Sequence, residues 1–155
     1  AEACDGFDQM REREGEKLAE DVRNRASVIE TLVGEVETRS PERVAEYREK
    51  LLARMREVLE STDIDETRIV TEAAIYADKT AVDEETVRLR SHLHQLDGML
   101  NEVKPVGRKL DFLVQEMNRE ANTIGSKAND VEMAQTVVNI KSEIEKIREQ
   151  IQNIE

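Results

Sequence analysis

The spacing of apolar residues predicts helices along almost the whole chain. Apolar positions recur three or four residues apart, which places them on one face of an α-helix. We divide the chain into about six helices: about 6 to 39, Pro41 to about 60, about 65 to 79, about 83 to 104, about 106 to 127, and Met133 to Ile154. This pattern predicts an all-α fold.

The predicted boundaries follow from local start and stop signals. Ser40 followed by Pro41 is typical of a helix start, because serine caps the free N–H groups and proline suits the first helical position. The segment from Ser61 to Asp63 separates the second helix from the third, and Pro105 ends the fourth.

Each helix has one apolar face that we expect to point into a core. The last helix is the most regular, because its apolar residues alternate spacings of four and three, as in a coiled-coil seam. The inward residues, helix by helix, are Leu18, Val22, Ile29, Leu32 and Val36; Val44, Tyr47, Leu51, Met55 and Val58; Ile69, Val70, Ala73 and Ala77; Val82, Leu89, Leu93, Leu96, Leu100 and Val103; Leu110, Leu113, Met117, Ala121 and Ile124; and Met133, Val137, Ile140, Ile144, Ile147, Ile151 and Ile154.

The long first and last helices predict an elongated antiparallel hairpin or bundle within one domain, residues 1–155. With only two Phe, two Tyr and no Trp, the core must be aliphatic. We expect another subunit to cover the apolar edge that the hairpin leaves open.

Composition and charge exclude several classes of protein. The chain has 155 residues, 23 Lys+Arg and 35 Asp+Glu, for a formal net charge of −12. A single cysteine, Cys4, excludes an internal disulfide and a cysteine-based zinc site, and no apolar run approaches the roughly 20 residues of a membrane span. An acidic chain repels nucleic acid on average. Residues 103–127 are the exception, with five basic and three acidic residues.

The common motifs of enzymes are missing, so candidate chemistry must lie on helix faces. Glu116, Arg119, Glu120, Thr123 and Lys127 share one polar stripe, which Phe112 flanks. Carboxylates at positions i and i+4 can share a divalent cation, and Arg or Lys beside them can bind phosphate. The alternative is a solvated face with ordinary i,i+4 ion pairs.

Residues 122–130 are predicted to form a loop of small hydrogen-bonding residues between the last two helices. One interpretation is a pair of caps, with Gly125 ending one helix and Asn129 or Asp130 starting the next. The other is a phosphate site made of backbone N–H groups and Lys127.

Three further residues have two interpretations each. His92 lies at the border of its helix's apolar face and is either structural or a proton-transfer residue, whereas His94 points to solvent. Glu66 lies within an apolar stripe, and we favour a position in an exposed first turn, where the helix dipole stabilises an acid.

Four segments resemble the YicC/YloC family of bacterial endoribonucleases. They are residues 10–15 (MREREG), 89–93 (LRSHL), 110–128 (LDFLVQEMNREANTIGSKA) and 144–155 (IEKIREQIQNIE). The resemblance covers the whole chain and corresponds to the C-terminal helical half of such proteins, so the N-terminal domain of family members is expected to be absent. It implies cleavage of single-stranded or small RNA with a divalent cation (Mg²⁺ or Mn²⁺), in the cytoplasm, by a hexamer.

The resemblance also selects candidate site residues. At 66–69 the chain has Glu-Thr-Arg-Ile, where the family tends to have Glu-Glu-Arg-Leu, which removes a second acid at Thr67. The positions that match family motifs are Glu66, Arg68, Glu72, Asp78, Lys79, Glu84, Glu85, Arg88, Ser91, His92, Glu116, Arg119, Glu120, Asn122, Thr123, Ser126 and Lys127.

Roles for these residues combine the resemblance with the polar stripe. We expect Glu116 and Glu120, with Glu72 or Asp78, to bind the metal and His92 to act as acid or base. RNA is expected to contact Arg88, Arg119, Asn122, Thr123 and Lys127. Two non-enzymatic alternatives remain: an oligomeric scaffold that binds RNA as an adaptor, and a plain coiled-coil interaction module.

Overall fold

The structure, a computed structural model, describes residues 2–59, 63–102 and 107–154. It contains five helices: α1 (Glu2–Leu59), α2 (Glu66–Thr80), α3 (Asp83–Leu100), α4 (Gly107–Lys127) and α5 (Val131–Ile154). Within those ranges there is no strand. The all-α prediction is confirmed.

The first two predicted helices form a single helix, so the predicted count of six was one too high. Pro41 lies inside α1, where proline removes one hydrogen bond and usually bends or breaks a helix. The helix nevertheless continues through Pro41, and Arg39 and Arg43, on either side of it, both pair with Asp130 at the start of α5. The distances are 3.0 Å from Arg39 Nε to Oδ2 and 3.9 Å from Arg43 Nε to Oδ1.

The other predicted boundaries fall close to the observed ones. Asp65 begins α2 as its N-cap and accepts a hydrogen bond of 3.0 Å from the Thr67 N–H. The predicted breaks at Ser61, Thr62 and Pro105 lie outside the described residues, as does Val103.

Four of the helices form an antiparallel bundle. Arg25 of α1 pairs with Glu143 of α5 at 3.2 Å, whereas Arg39, further along α1, pairs with Asp130, further back along α5. α3 is likewise antiparallel to α1 and to α4, and α5 is antiparallel to α4. The second half of α1 extends beyond the bundle and packs against α2, where Tyr47 and Tyr76 stack with ring centroids 4.0 Å apart.

The predicted core is largely confirmed. Every inward residue predicted for α4 is buried, and so is every one for α5 from Met133 to Ile151; the side chain of Ile154 lies outside the described part. Val58 and Val70 are exposed, so those two predictions were wrong, and Val33 is a buried residue that we missed.

The α1–α5 hairpin is confirmed, but its second apolar edge needs no other subunit. Ile140, Ile144 and Ile147 of α5 belong to one core cluster with Leu113, Met117 and other residues of α4. The sequence pattern could not predict that α4 also packs on α5. It shows that each helix has an apolar face, but it does not show which helices pack against that face. In the described residues, no helix combines the length and apolar character that crossing a membrane requires.

Candidate functional site

The antiparallel contact between α3 and α4 aligns two rows of polar side chains. Glu85, Arg88 and His92 follow one another along α3 at spacings of three and four residues, which places them on one face. The α4 row contains Glu116, Glu120 and Lys127, on the stripe that the sequence predicted. We call the space between these rows, and its continuation towards Phe112, the α3–α4 groove.

His92, Glu116 and Glu120 converge in this groove. Each of them offers one ligand atom, and these atoms all lie within 4.8 Å of one another. Glu120 is only 6% exposed, while His92 and Glu116 are half-buried. Glu120 is therefore not part of an ordinary solvated face, the alternative considered above.

The cluster has the donor types of a divalent-cation site. Ligand atoms that share one small ion lie about 2.1 Å from it and hence about 3 to 4 Å apart, and the three atoms here all lie within 4.8 Å of one another. The Nδ1 atom of His92 is buried and has no hydrogen-bond partner, which is costly for a polar atom. One imidazole with two carboxylates suits a first-row ion such as Mn²⁺ better than Mg²⁺, which prefers oxygen ligands.

Arg88 lies beside the cluster and orients one of its carboxylates. Its Nε donates a hydrogen bond of 2.9 Å to Glu120 Oε1, and one terminal nitrogen donates to Glu84 at 3.2 Å. The hydrogen bond to Glu120 is the main reason that the pKa of Arg88 is raised. Arg88 also lies 3.6 Å from Glu85, so it is a permanent positive charge beside three carboxylates.

Lys127 forms a second ion pair at the far end of the groove. Its Nζ donates to Glu85 Oε1 and to the Ala81 carbonyl, both at 2.9 Å. Glu85 is 4% exposed. Burial would raise the pKa of its carboxyl, but the hydrogen bond from Lys127 and the nearby positive charges lower it below its usual value. The main contacts of Lys127 are therefore within the protein.

The predicted loop at 122–130 is mostly helix. α4 continues to Lys127, and only residues 128–130 separate it from α5. Gly125 is a packing residue, because a Cβ atom there would lie 3.1 Å from Val137 Cγ1 of α5. Asp130 caps α5 by accepting a hydrogen bond of 3.3 Å from the Met133 N–H. The capping interpretation is right for Asp130 but wrong for Gly125.

Arg119, Asn122 and Thr123 lie on the outer face of α4. Together with Gln115, Asn118 and Ser126 they line a shallow, open depression. The Thr123 hydroxyl donates to the Arg119 carbonyl at 3.1 Å, and the Ser126 hydroxyl donates to the Thr123 carbonyl at 2.8 Å. The side chains of Arg119 and Asn122 are exposed. This surface adjoins the groove because Arg119 is three residues from Glu116 on the same helix.

Four other predicted residues lie away from the cluster. Glu72 and Asp78 are exposed on α2, a helix that packs on the second half of α1. Neither belongs to the cluster of His92, Glu116 and Glu120. Glu66 is exposed in the first turn of α2, as we favoured, and His94 is exposed as expected.

The ion pairs of Glu85 and Asp130 were not predicted from the sequence. Glu85 matched a family motif but received no role. The sequence feature that could have indicated a role for Glu85 is its position three residues before an arginine, at the border of an apolar face. The same pattern occurs on many exposed helices, so it is not specific. Asp130 was predicted to be a cap. Its pairing with Arg39 could not be predicted, because the two residues are 91 positions apart and no local sequence pattern indicates the contact.

Comparison with known proteins agrees with the resemblance noted in the sequence. A family profile described as "Endoribonuclease YicC-like, C-terminal" matches residues 36–155. A probable endoribonuclease YicC of Clostridioides difficile (strain 630) is 51% identical over 148 residues, which are 95% of this chain and 50% of that protein. A probable endoribonuclease YicC of Haemophilus influenzae is 38% identical over 149 residues, 96% of this chain and 51% of the relative.

The chain therefore spans about half the length of the curated relatives it matches. The profile match includes α3, α4 and α5 and hence the whole α3–α4 groove. On this evidence the chain belongs to the YicC-like endoribonuclease family, where it matches the C-terminal domain.

Proposed function

We propose that the chain is the catalytic helical domain of a metal-dependent endoribonuclease that cleaves single-stranded or small RNA. The observation that carries this proposal is the convergence of His92, Glu116 and Glu120, whose ligand atoms lie within 4.8 Å of one another. The names of the relatives support RNA as the substrate.

In this proposal, Glu116, Glu120 and His92 hold the divalent cation. A bound cation would supply positive charge to a phosphate oxygen and lower the pKa of a bound water. We assign His92 as the third ligand, in place of the acid–base role expected from the sequence, because one of its ring nitrogens lies within 4.8 Å of an oxygen of each carboxylate. Glu72 and Asp78 have no part in this cluster.

Arg88 has two functions in the proposal. It positions Glu120 through the hydrogen bond of 2.9 Å, and its half-exposed side chain presents further N–H groups to the groove. A guanidinium has five N–H donors in a planar fork that suits phosphate. Arg88 can therefore bind a phosphate oxygen while it keeps Glu120 in place.

The outer face of α4 extends the binding surface for the RNA strand. Arg119 offers one positive charge, and Asn122 and Thr123 offer neutral hydrogen-bonding groups. Such groups contact sugar and base atoms without strong electrostatic attraction. Because the chain has a net charge of −12, most of its surface repels RNA. The outer face of α4, where these hydrogen-bond donors lie together, is then the surface that binds the strand.

The experiment is cleavage of a 5′-labelled single-stranded RNA by the purified 155-residue chain, in Mn²⁺, in Mg²⁺ and in excess EDTA. We expect internal cleavage products with metal and none with EDTA. Equal cleavage in EDTA would contradict the metal site. RNA binding without cleavage would contradict the enzyme proposal and favour a non-catalytic adaptor.

The assembly and location that the family resemblance implies, a hexamer in the cytoplasm, remain proposals. A homo-oligomer is compatible with the exposed apolar residues near the start of α1, Phe7 and Met10. Light scattering of the purified chain measures the number of subunits directly.

A further inference from the structure

Phe112 is an exposed aromatic residue in a chain with few aromatics. The sequence has two Phe and two Tyr, and Tyr47 and Tyr76 stack on each other. Phe112 is 63% exposed, although an aromatic ring contributes most to stability when it is buried. Its position therefore has no explanation in the core of the bundle.

The ring borders a cavity at the continuation of the α3–α4 groove. The cavity measures about 430 Å³ and is lined by His92, Gln95, Met99, Arg108, Lys109, Phe112 and Leu113. Small-molecule sites have volumes of roughly 300–1,000 Å³. The lining combines a flat ring and two apolar side chains with two cations, Arg108 and Lys109.

This cavity and the metal cluster share one residue. His92 belongs to both. On α4, Arg108, Phe112, Glu116 and Glu120 follow at intervals of four residues, so they form one ridge with steps of about 6 Å along the helix axis. Phe112 is therefore one helical turn from the proposed metal ligand Glu116.

We propose that Phe112 is a stacking platform for a nucleobase of the RNA, next to the phosphate that is cleaved. This inference rests on the proposed function and names the recognition element of the same site. The base stacks on the ring between Phe112 and Met99, and Arg108 and Lys109 contact the phosphate on its far side. Proteins that bind single strands combine aromatic platforms with cations in this way.

The charges favour RNA over a second copy of this chain as the occupant. Arg108 and Lys109 lie in residues 103–127, where basic residues exceed acidic ones, in a chain that is acidic overall. An apolar ring flanked by cations suits a planar base attached to a phosphate. The same pair of cations would have no role in a purely apolar contact between subunits.

The absence of tryptophan makes a direct test possible. A Phe112→Trp variant carries a single indole, whose fluorescence is quenched when a base stacks on it. Phe7 on α1 is also 63% exposed and does not line this cavity, so Phe7→Trp is the matched control. Both variants are titrated with ten-nucleotide oligo(U) and oligo(A) in EDTA, which prevents metal-dependent cleavage.

We expect RNA to quench the Phe112→Trp variant and to leave the Phe7→Trp variant nearly unchanged. Phe112→Ala and Phe112→Leu should weaken RNA binding by about 5- to 100-fold, whereas Phe112→Tyr should bind almost normally. Equal binding by the Leu and Tyr variants would overturn stacking as the cause.

Two other outcomes would also overturn the proposal. One is the same response to RNA from both tryptophan variants. The other is an emission shift of the Phe112→Trp variant that depends on protein concentration without RNA, because that would assign the cavity to a second copy of the chain. If RNA quenches the Phe112→Trp variant but the wild type never cleaves RNA, the base-stacking site is supported and the enzyme proposal is contradicted. Failure of the base-stacking proposal can therefore be told apart from failure of the enzyme proposal.

Discussion

At the scale of single residues, the groove pairs each of its two buried carboxylates, Glu85 and Glu120, with a cation. Glu85 contacts Lys127, and Glu120 contacts Arg88. An unpaired buried carboxylate would instead take up a proton or destabilise the fold. These pairs therefore fix the charges around His92 and Glu116.

Replacing Lys127 tests this pairing. In Lys127→Met, Glu85 keeps its burial and loses its main hydrogen bond, so we expect about 1–3 kcal/mol less stability at pH 7. The lowered pKa of Glu85 stabilises the wild type fully above its ordinary value of 4.5, and this stabilisation declines as pH falls through the folded-state pKa. The difference between the two proteins should therefore be smaller at a pH below 4.5 than at pH 7.

Urea unfolding followed by circular dichroism at both pH values measures this difference. Lys79→Met, which removes an exposed lysine in the last turn of α2, is the control and should change little. A loss in Lys127→Met that is the same at both pH values would contradict the pairing of Lys127 with Glu85.

Sequence predicted the types of site residue better than their partners. The i,i+4 rule placed Glu116 and Glu120 on one face, and they do lie together. His92 was identified as a border residue, but its closeness to those carboxylates depends on the register of α3 against α4. A single sequence shows which residues share a helix face, but it does not show how two helices are aligned along each other. For this reason Lys127 was predicted to bind phosphate, and its ion pair with Glu85 was not predicted.

At the scale of helices, the connection between α4 and α5 depends on Asp130. Its carboxylate caps α5 and also accepts from Arg39 of α1. The hydrogen bond from Arg39 is the main reason that the pKa of Asp130 is lowered. One side chain thus connects the start of α5 to the part of α1 that contains Pro41.

Asp130→Ala should destabilise the fold by about 1–2 kcal/mol through loss of the cap alone, and by more if α1 bends at Pro41. Glu132 also contacts Arg39, at 3.2 Å, but is largely exposed. Glu132→Ala should therefore cost less than about 1 kcal/mol. Thermal unfolding compares the two variants, and equal melting temperatures would show that Asp130 has no special role.

Helix positions were predicted well because periodicity is a local property. The departures coincide with long-range contacts. Ser40 and Pro41 form a good local start signal, yet α1 runs through both residues, and their neighbours Arg39 and Arg43 pair with Asp130. Gly125 suggests a helix end, yet close packing against Val137 accounts for it within α4.

At the scale of the whole molecule, the apolar seam of α5 is an internal core. Ile147 is fully buried in a cluster with residues of α1 and α4. Val138, on the opposite side of the same helix, is exposed. An aspartate at these two positions should therefore have very different effects.

Ile147→Asp should cost more than about 3 kcal/mol, because it buries an unpaired charge, and should unfold much of the protein. Val138→Asp should stay within about 0.5 kcal/mol of the wild type and keep the same mass. Circular dichroism reports folding, and light scattering reports mass. A folded Ile147→Asp protein of smaller mass would show that the seam is a subunit interface rather than a core.

The central claim is that His92, Glu116 and Glu120 bind one divalent cation, and calorimetric titration with Mn²⁺ tests it most directly. We expect one site per chain, with affinity at least about 10-fold weaker in both Glu116→Gln and His92→Ala. His94→Ala, which changes an exposed histidine two residues away, should bind like the wild type. Wild-type affinity in both Glu116→Gln and His92→Ala, or no Mn²⁺ binding by the wild type, would contradict the account.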